Sequence, residues 1–450
     1  MQWESADGNF DLSFTDRDCD SSYDSNSTKI TFENSSANAV GSSVNISGTD
    51  VTISSEGTYI LTGDCSDGSV TVDAGDNDKI QLVFDNINLT SSKSPIVITN
   101  ADKVFVTLAD NSENTLNDAS SYTLTVDNSS VDATIFSKAD LSINGSGKLT
   151  VKGNYKHGIV SKDDLVITDS VLDVKATNSG IEGKDCVKIQ NSDITVDAGS
   201  DAIRSTNTEE IDTSGFVYIK SGNVNLTSTN DAIQACSLLR ADSGDFEITT
   251  GGGSDGNVEQ GAFDSNSSKK LAINGGYIYV NASGDGLDSN GALTITGGTV
   301  LVSGPENRGN GSIDYDSSGT ISGGTLVALG SGGMSQSITG EDQCSIMTDI
   351  SVQSANTMFS LCDSNGKVIV SFTGANQYSN VVVSTPSIKT GETYSIVSGG
   401  TVSNADSNGY AENKTISGGT TVTEITMTDE NYSSGSSMMG GGRMQSDRRF

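Results

Sequence analysis

The sequence predicts an all-β fold: a right-handed parallel β-helix with three strands and about 22 residues per coil, closed by a C-terminal antiparallel β cap. Three observations predict it. The first is a repeat from about residue 133 to 330, in which HGIVSKDDLVITDSVLDVKATN starts at 157, SGIEGKDCVKIQNSDITVDAGS at 179 and DAIRSTN at 201, each 22 residues after the last. The pattern returns at Asp231, Gly261, Asp285 and Gly311 with small insertions, and a fixed period of this size marks stacked repeats. The second is that apolar and polar residues alternate within each unit, the period of a strand and not of a helix. The third is composition: 51 Gly and 3 Pro among 450 residues suit a chain of turns and short strands.

The repeats align into ladders. One column reads Ile159, Ile181, Ile203, Ile233, Phe263, Leu287, Ile313; a second Leu165, Val187, Val217, Leu239, Leu271, Leu293; a third Leu172, Ile194, Val224, Phe246, Ile278, Val300, Leu326. Like residues then stack at the strand spacing of about 4.8 Å, and the crossover rule makes the coil right-handed. In chain order, residues 1–50 form a polar N-terminal segment with the first strands, and 51–340 the parallel β-helix, whose early coils (51–132) are irregular. Residues 341–430 form the cap that covers a solenoid end, and 431–450 a disordered Gly/Met-rich tail. Asp16, Asp18, Asp20 and Asp24 are spaced like the first ligands of a calcium loop, but Ser21 stands where such a loop needs Gly and the twelfth position is not Glu.

Charge limits the partners. The chain carries 25 basic and 58 acidic residues, a net charge of −33, which excludes basic-groove binding of nucleic acid and adhesion to anionic membrane. No apolar run reaches membrane-spanning length, so no membrane insertion is expected. The chain is expected to be a monomer, and the start MQWES, without a signal peptide, reads as the mature form of a secreted or surface-displayed protein. Six cysteines without CxxC spacing argue against zinc and leave Cys19–Cys65 and Cys344–Cys362 as possible pairs.

Chemistry concentrates on one strand face. Beside the isoleucine ladder the outward pairs run Phe136 and Lys138, Val160 and Lys162, Glu182 and Lys184, Arg204 and Thr206, then Asp264 and Asn266, Asp288 and Asn290, Asp314 and Asp316. The acidic half offers the carboxylate and amide oxygens that calcium takes; its alternative is an exposed acidic ladder screened by salt. A second acidic column, Asp201, Asp231 and Asp285, lies in turns, where Asp also satisfies backbone groups. The basic half, Lys138, Lys162, Lys184 and Arg204, suits uronate carboxylates, or is simply solvated. His157, the sole histidine, stands at a turn beside Lys162, and no triad can be built on it. Tyr218 and Tyr279 fall at outward positions where a sugar could stack, a thin aromatic platform that favours an ionic polysaccharide over cellulose.

The segments GTYILTGDCSDGSVTVDAGDNDKIQLVFDNINLTSS, NADKVFVTLADNSENTLND, IFSKADLSINGSGKLTV and NYKHGIVSKDDLVIT resemble a family of secreted bacterial carbohydrate-binding proteins over roughly residues 10–430. The resemblance implies a fold like the pectate-lyase β-helix, bound calcium, and plant cell-wall polysaccharide as partner, cellulose and polygalacturonate included. The run Ser179 to Asp185 departs from the Asp-Gly-Ile-Arg expected there. Two activities follow as expectations: calcium-containing, non-catalytic binding of pectin-like polymer, or a pectate lyase in which calcium acidifies the uronate α-proton and a lysine removes it. Lys184 and Asp264 lie three to four rungs apart, on the order of 15 Å, too far for base and metal to share one sugar. Binding is therefore preferred, with a structural adhesin as the third reading.

Overall fold

The protein was analysed as a computed structural model that describes residues 9–40, 43–123, 130–251 and 269–434. It is all-β; among the described residues the one helix is the single turn Asp16–Cys19. The chain divides into two compact units, Met1–Asp255 with Ser268–Ile278, and Gly256–Ser267 with Tyr279–Phe450.

In the first unit strands pair in parallel with the equivalent strands of the next repeat. One ladder joins Ser69–Asp73, Ile96–Asn100, Ala133–Ser137, His157–Ser161, Ile181–Gly183, Ile203–Ser205 and Ile233–Gln234. Its register places Ile135, Ile159, Ile181, Ile203 and Ile233 one above another, and the middle three are fully buried. A second ladder stacks Leu141, Leu165, Val187, Val217, Leu239 and Leu271, and a third Leu149, Leu172, Ile194, Val224 and Phe246. Each fully buried aliphatic side chain contributes about 1.5–3 kcal/mol of hydrophobic stabilisation, so the core is a set of like-on-like columns. Tight turns between strands reuse one device: Asp169 and Asn191 both adopt positive φ, 49° and 55°, and Asn191 Nδ2 donates to Asp169 Oδ1 at 3.0 Å on the next rung. Short polar side chains tolerate that backbone region and bond locally.

The early residues follow the same plan: Val70, Ile96 and Ile135 are in register in the first ladder. In the second unit Leu287 pairs with Ile313, Ile295 with Ile321 and Val300 with Leu326, all parallel. Beyond them Thr325–Gly330 and Ser345–Gln353 each pair antiparallel with Tyr378–Ser384. Met358–Asp363, Lys367–Thr373, Thr393–Ser398, Ala411–Ser417 and Thr420–Thr426 form an antiparallel sheet. Ser345–Gln353 also takes Asn431–Ser434 as a parallel neighbour. Residues 435–450 of the expected tail, and Phe263, Asp264 and Asn266, lie outside the described residues.

One expectation is corrected, and one partial spacing match is settled. Cys19, Cys65, Cys344 and Cys362 are free thiols: the Cys65 Sγ–H donates to Asn34 O at 3.1 Å and Cys344 Sγ lies 3.6 Å from Thr390 Oγ1, so neither anticipated pair forms. Asp16–Asp24 is not a calcium loop. Asp18 is 1% exposed, and its Oδ1 meets Lys103 Nζ at 2.8 Å and accepts from Ser142 Oγ. Its other oxygen accepts from the Thr15 amide and hydroxyl in a helix-capping box. No oxygen of that carboxylate remains for a cation.

Candidate functional site

The basic half of the expected column lies in one register. Phe136, Val160, Glu182, Arg204 and Gln234 occupy successive rungs beside the isoleucine ladder. One step later, the amide of Lys162 donates to Ser137 O at 2.8 Å, that of Lys184 to Ser161 O at 2.9 Å and that of Thr206 to Lys184 O at 3.1 Å. Lys138, Lys162 and Lys184 therefore stack on consecutive rungs about 4.8 Å apart. Lys138 and Lys184 are exposed and Lys162 half-buried.

Not every outward position reaches solvent. Phe136 and Val160 are fully buried in a cluster with Val131 and Ala133, flanked by Val97 and Tyr122. Next to this lid of apolar side chains stands Glu182, 3% exposed. Its Oε1 accepts from Lys162 Nζ at 3.0 Å, and its Oε2 from Arg204 Nε at 2.9 Å and a terminal guanidinium nitrogen at 2.7 Å. Arg204 also reaches Asp201 Oδ2 at 3.3 Å. Burial alone would raise the Glu182 pKa, but Arg204, Lys162 and His157 outweigh it and hold the carboxyl below its usual range.

His157 completes the cluster. It is 5% exposed, with Nε2 3.8 Å from Asp132 Oδ2 and Nδ1 4.0 Å from Glu182 Oε2. Both separations exceed hydrogen-bond length, and Nδ1 and Asp132 Oδ1 are buried without a hydrogen-bond partner. Burial is the main cause lowering the His157 pKa; Glu182 and Asp132 oppose it, while Arg204 and Lys162 add to it. Asp132 also faces Lys156 Nζ at 3.8 Å. Beside it Tyr155 stacks on Tyr122 with ring centroids 4.3 Å apart, and Lys156 Nζ sits 5.4 Å from the Tyr155 centroid.

Sequence reasoning placed Glu182 in the column but missed its role as the hub. The available signal was an acid flanked on the neighbouring rungs by Lys162 and Arg204. It also missed Asp132 and the Tyr122–Tyr155 pair, which lie between repeats. Tyr218 is corrected outright: it is 5% exposed, its hydroxyl donates to Asp242 Oδ2 at 2.7 Å, and Phe14 lies across it at 6.0 Å. Tyr279, 8% exposed, is likewise covered.

The acidic half is divided. Asp288 and Asp314 face each other in register on Leu287–Ser289 and Ile313–Tyr315. Asp314 Oδ1 accepts from Gln336 Nε2 at 2.7 Å, and burial, with Asp316 adding, raises its pKa despite a bond from the Tyr315 amide. Asn290 is half-buried and Asp316 exposed. The turn column is used structurally. Asp201 Oδ1 accepts from the Asp231 amide at 3.3 Å, Asp231 Oδ2 from Gln234 Nε2 at 3.4 Å, and Asp285 Oδ1 from the Gly311 amide at 2.6 Å. Among the described residues no three His, Cys, Asp or Glu side chains converge to hold a metal ion, and no helix is long and apolar enough to cross a membrane.

Comparison with known proteins gives the chain's relatives. A carbohydrate-binding domain-containing protein of Acetivibrio thermocellus is 38% identical over 78 residues, 17% of this chain and 27% of that protein. The chain thus matches about a quarter of that relative's length. The solved structure of the polysaccharide lyase-like protein from C. thermocellum, a gadolinium derivative, aligns at 31% identity with a TM-score of 0.48, covering 60% of this chain and 96% of that one. Residues 47–309, more than half of the chain, match the family described as carbohydrate-binding domain-containing protein, and the chain belongs to that family.

Proposed function

We propose that the protein is a secreted, non-catalytic binder of an acidic plant cell-wall polysaccharide of the polygalacturonate type. The observation that carries the reading is the column of Lys138, Lys162 and Lys184 on consecutive rungs of a chain whose net charge is −33. Cations repeating at about 4.8 Å match a polymer that presents one carboxylate per sugar, and Tyr155 with Lys156 lies at the edge of the same face. Binding is preferred to elimination because Lys162 Nζ is engaged by Glu182 and Arg204 is clamped in a two-pronged pair. A lyase base must instead reach the proton that it removes. In this reading the parallel ladders of the first unit form a right-handed coil of three strands, and within the second unit the antiparallel sheet caps that unit's own ladders.

Calcium belongs to the proposal at Asp288 and Asp314. Two carboxylates in register repel each other, and burial, with Asp316 adding, already raises the Asp314 carboxyl, so a cation there would favour its charged form. Asn290 and Asp316 are the neighbouring oxygen donors in sequence, and the ion would neutralise the pair and bridge to uronate. The test is isothermal titration with polygalacturonate and with soluble cellulose derivatives, in calcium and in EDTA. Binding of polygalacturonate alone, weakened by EDTA and by Lys138→Ala with Lys184→Ala, is expected. Accumulation of ultraviolet-absorbing unsaturated product at alkaline pH would make the protein a lyase.

A further inference from the structure

Residues 10–22 run as a strap over the outer face of the second ladder in the first unit. The face beneath reads, rung by rung, Gln81, Phe105, Ser142, Val166, Lys188, Tyr218, Arg240. Phe10 packs edge-on to Phe216 at 5.3 Å, Phe14 tilts over Tyr218, and Leu12 lies in the same apolar cluster. Arg17 stands 4.8 Å above the Phe105 ring. The strap is attached through side chains: Asn144 Nδ2 and Thr168 Oγ1 donate to Asp18 O at 3.1 and 2.6 Å, and Gln81 Nε2 to Ser22 O at 3.2 Å. Among the described residues, no main-chain to main-chain hydrogen bond joins residues 10–20 to the sheet. The strap can therefore leave without opening a ladder.

The chemistry under it is not that of a core. Lys188 is 6% exposed, and its Nζ donates to two main-chain carbonyls of the strap, Ser13 O at 3.0 Å and Asp11 O at 3.4 Å. The Asp11 carboxylate is close enough to feel this charge, yet a cation buried largely against main-chain carbonyls is costly where an apolar residue would pack as well. Lys103 is held by the Asp18 carboxylate. Arg240 and Tyr218 are both held by Asp242, Arg240 Nε at 2.7 Å from Oδ1. At one end of this face Lys188, the Tyr218 ring and Arg240 follow one another on successive rungs; a line of cation, ring and cation suits a chain of acidic sugars, the ring stacking on a pyranose face and the cations pairing with carboxylates. The strap imitates such a chain. Its Asp18 carboxylate stands in for a uronate carboxylate, its carbonyls on Lys188 for sugar oxygens, and Phe14 for a ring on Tyr218.

We propose that the face beneath residues 10–22 is a second binding groove for uronate-containing oligosaccharide and that the strap is its built-in competitor. The groove is independent of the lysine column, sharing no residue with it. The probe is a short galacturonic acid oligomer, titrated into the full chain carrying Lys138→Ala and Lys184→Ala so that the two exposed cations of the column do not contribute. Adding Phe14→Ser and Asp18→Asn, which loosen the strap, should tighten binding at least tenfold, and adding Lys188→Ala should abolish the gain. A loosened variant that trypsin cleaves at Arg17, yet binds no tighter, overturns the proposal. An equal gain for a neutral cello-oligosaccharide overturns the anionic class. Should the loosened variant fail to fold, Gln190→Cys replaces it. Gln190 Nε2 lies 3.7 Å from Cys19 Sγ, so oxidation ties the strap down and reduction frees it. Tighter binding after reduction is expected, and equal affinity in both states refutes a competing strap.

Discussion

Replacing Glu182 by Gln tests whether the cluster at the centre of the lysine column is a fixed charge scaffold. The substitution keeps the shape but removes the charge that Lys162 and Arg204 share. Withdrawing one partner from a buried pair costs about 3–5 kcal/mol, because the remaining charge is left uncompensated. Here the Lys162 side chain is 36% exposed and can rehydrate, while Arg204 at 20% and Glu182 at 4% cannot. The lower end, about 3 kcal/mol, therefore applies. Repeat arrays open locally, so the loss should appear in amide hydrogen exchange of the rungs around the site. The Ile181 and Ile203 amides, bonded to Ala202 O and Ala232 O, should exchange roughly a hundredfold faster, at about 1.4 kcal/mol per decade. Amides of the ladder near Val70 should not change. An effect below about 0.5 kcal/mol, or one spread evenly along the chain, would show that the pairs are ordinary solvated contacts.

Three further outcomes are expected. The His157 pKa is lowered from 6.5 by burial, so the unfolded chain takes up the proton first. Stability from this group is complete above pH 6.5 and is lost as pH falls through the folded value. Asp140, raised to about 6 by burial and by Asp164 and Asp163, acts in the opposite sense, gaining stability as pH falls from about 6 toward 3.8. The difference between wild type and His157→Gln isolates the histidine, and a difference independent of pH between 7 and 5 would refute its neutral burial. Ile203→Asp puts a carboxylate at a fully buried position between buried Ile181 and half-buried Ile233 and should cost upwards of about 4 kcal/mol; a wild-type melt would refute the register. EDTA should lower the melting temperature by mass action if Asp288 and Asp314 hold calcium, and an unchanged melt with no calcium by elemental analysis would remove the ion from the proposal.

The ladders were legible because each is a repeated chemical identity: Ile159, Ile181 and Ile203 recur at the same offset, and the pairing has that register. What period alone could not show is what lies over an outward position. Tyr218 alternates out of the core as predicted, yet Phe14, some two hundred residues earlier in the chain, covers it. Phe136 and Val160 are hidden in the same way by Val131 and its neighbours. Solenoid periodicity specifies neighbours one repeat away, whereas straps and inter-repeat loops obey no period and leave no local signal. Asp18 shows the consequence: its spacing with Asp16 and Asp20 imitates a cation loop, while its carboxylate is committed to Lys103 and Ser142, far away in sequence.

The net charge makes a last prediction about ionic strength. A chain of charge −33 repels a polyuronate over long range, but that repulsion acts across distances that salt screens, with a Debye length of about 30 Å at 0.01 M and about 10 Å at 0.1 M. Attraction by Lys138, Lys162 and Lys184 acts at contact, where screening is weaker. The two terms should separate on titration with sodium chloride. Affinity for polygalacturonate, measured at fixed calcium, should rise from about 0.01 M to about 0.1 M as the long-range repulsion is screened, then fall toward about 1 M as the contacts weaken. Lys138→Ala with Lys184→Ala should remove the falling limb and leave the rising one. A monotonic decline from the lowest salt would show that the local lysines dominate at every distance and that the acidic surface plays no part in the encounter. A flat profile would mean that ionic groups do not govern recognition at all, leaving the Tyr122–Tyr155 stack as the principal contact.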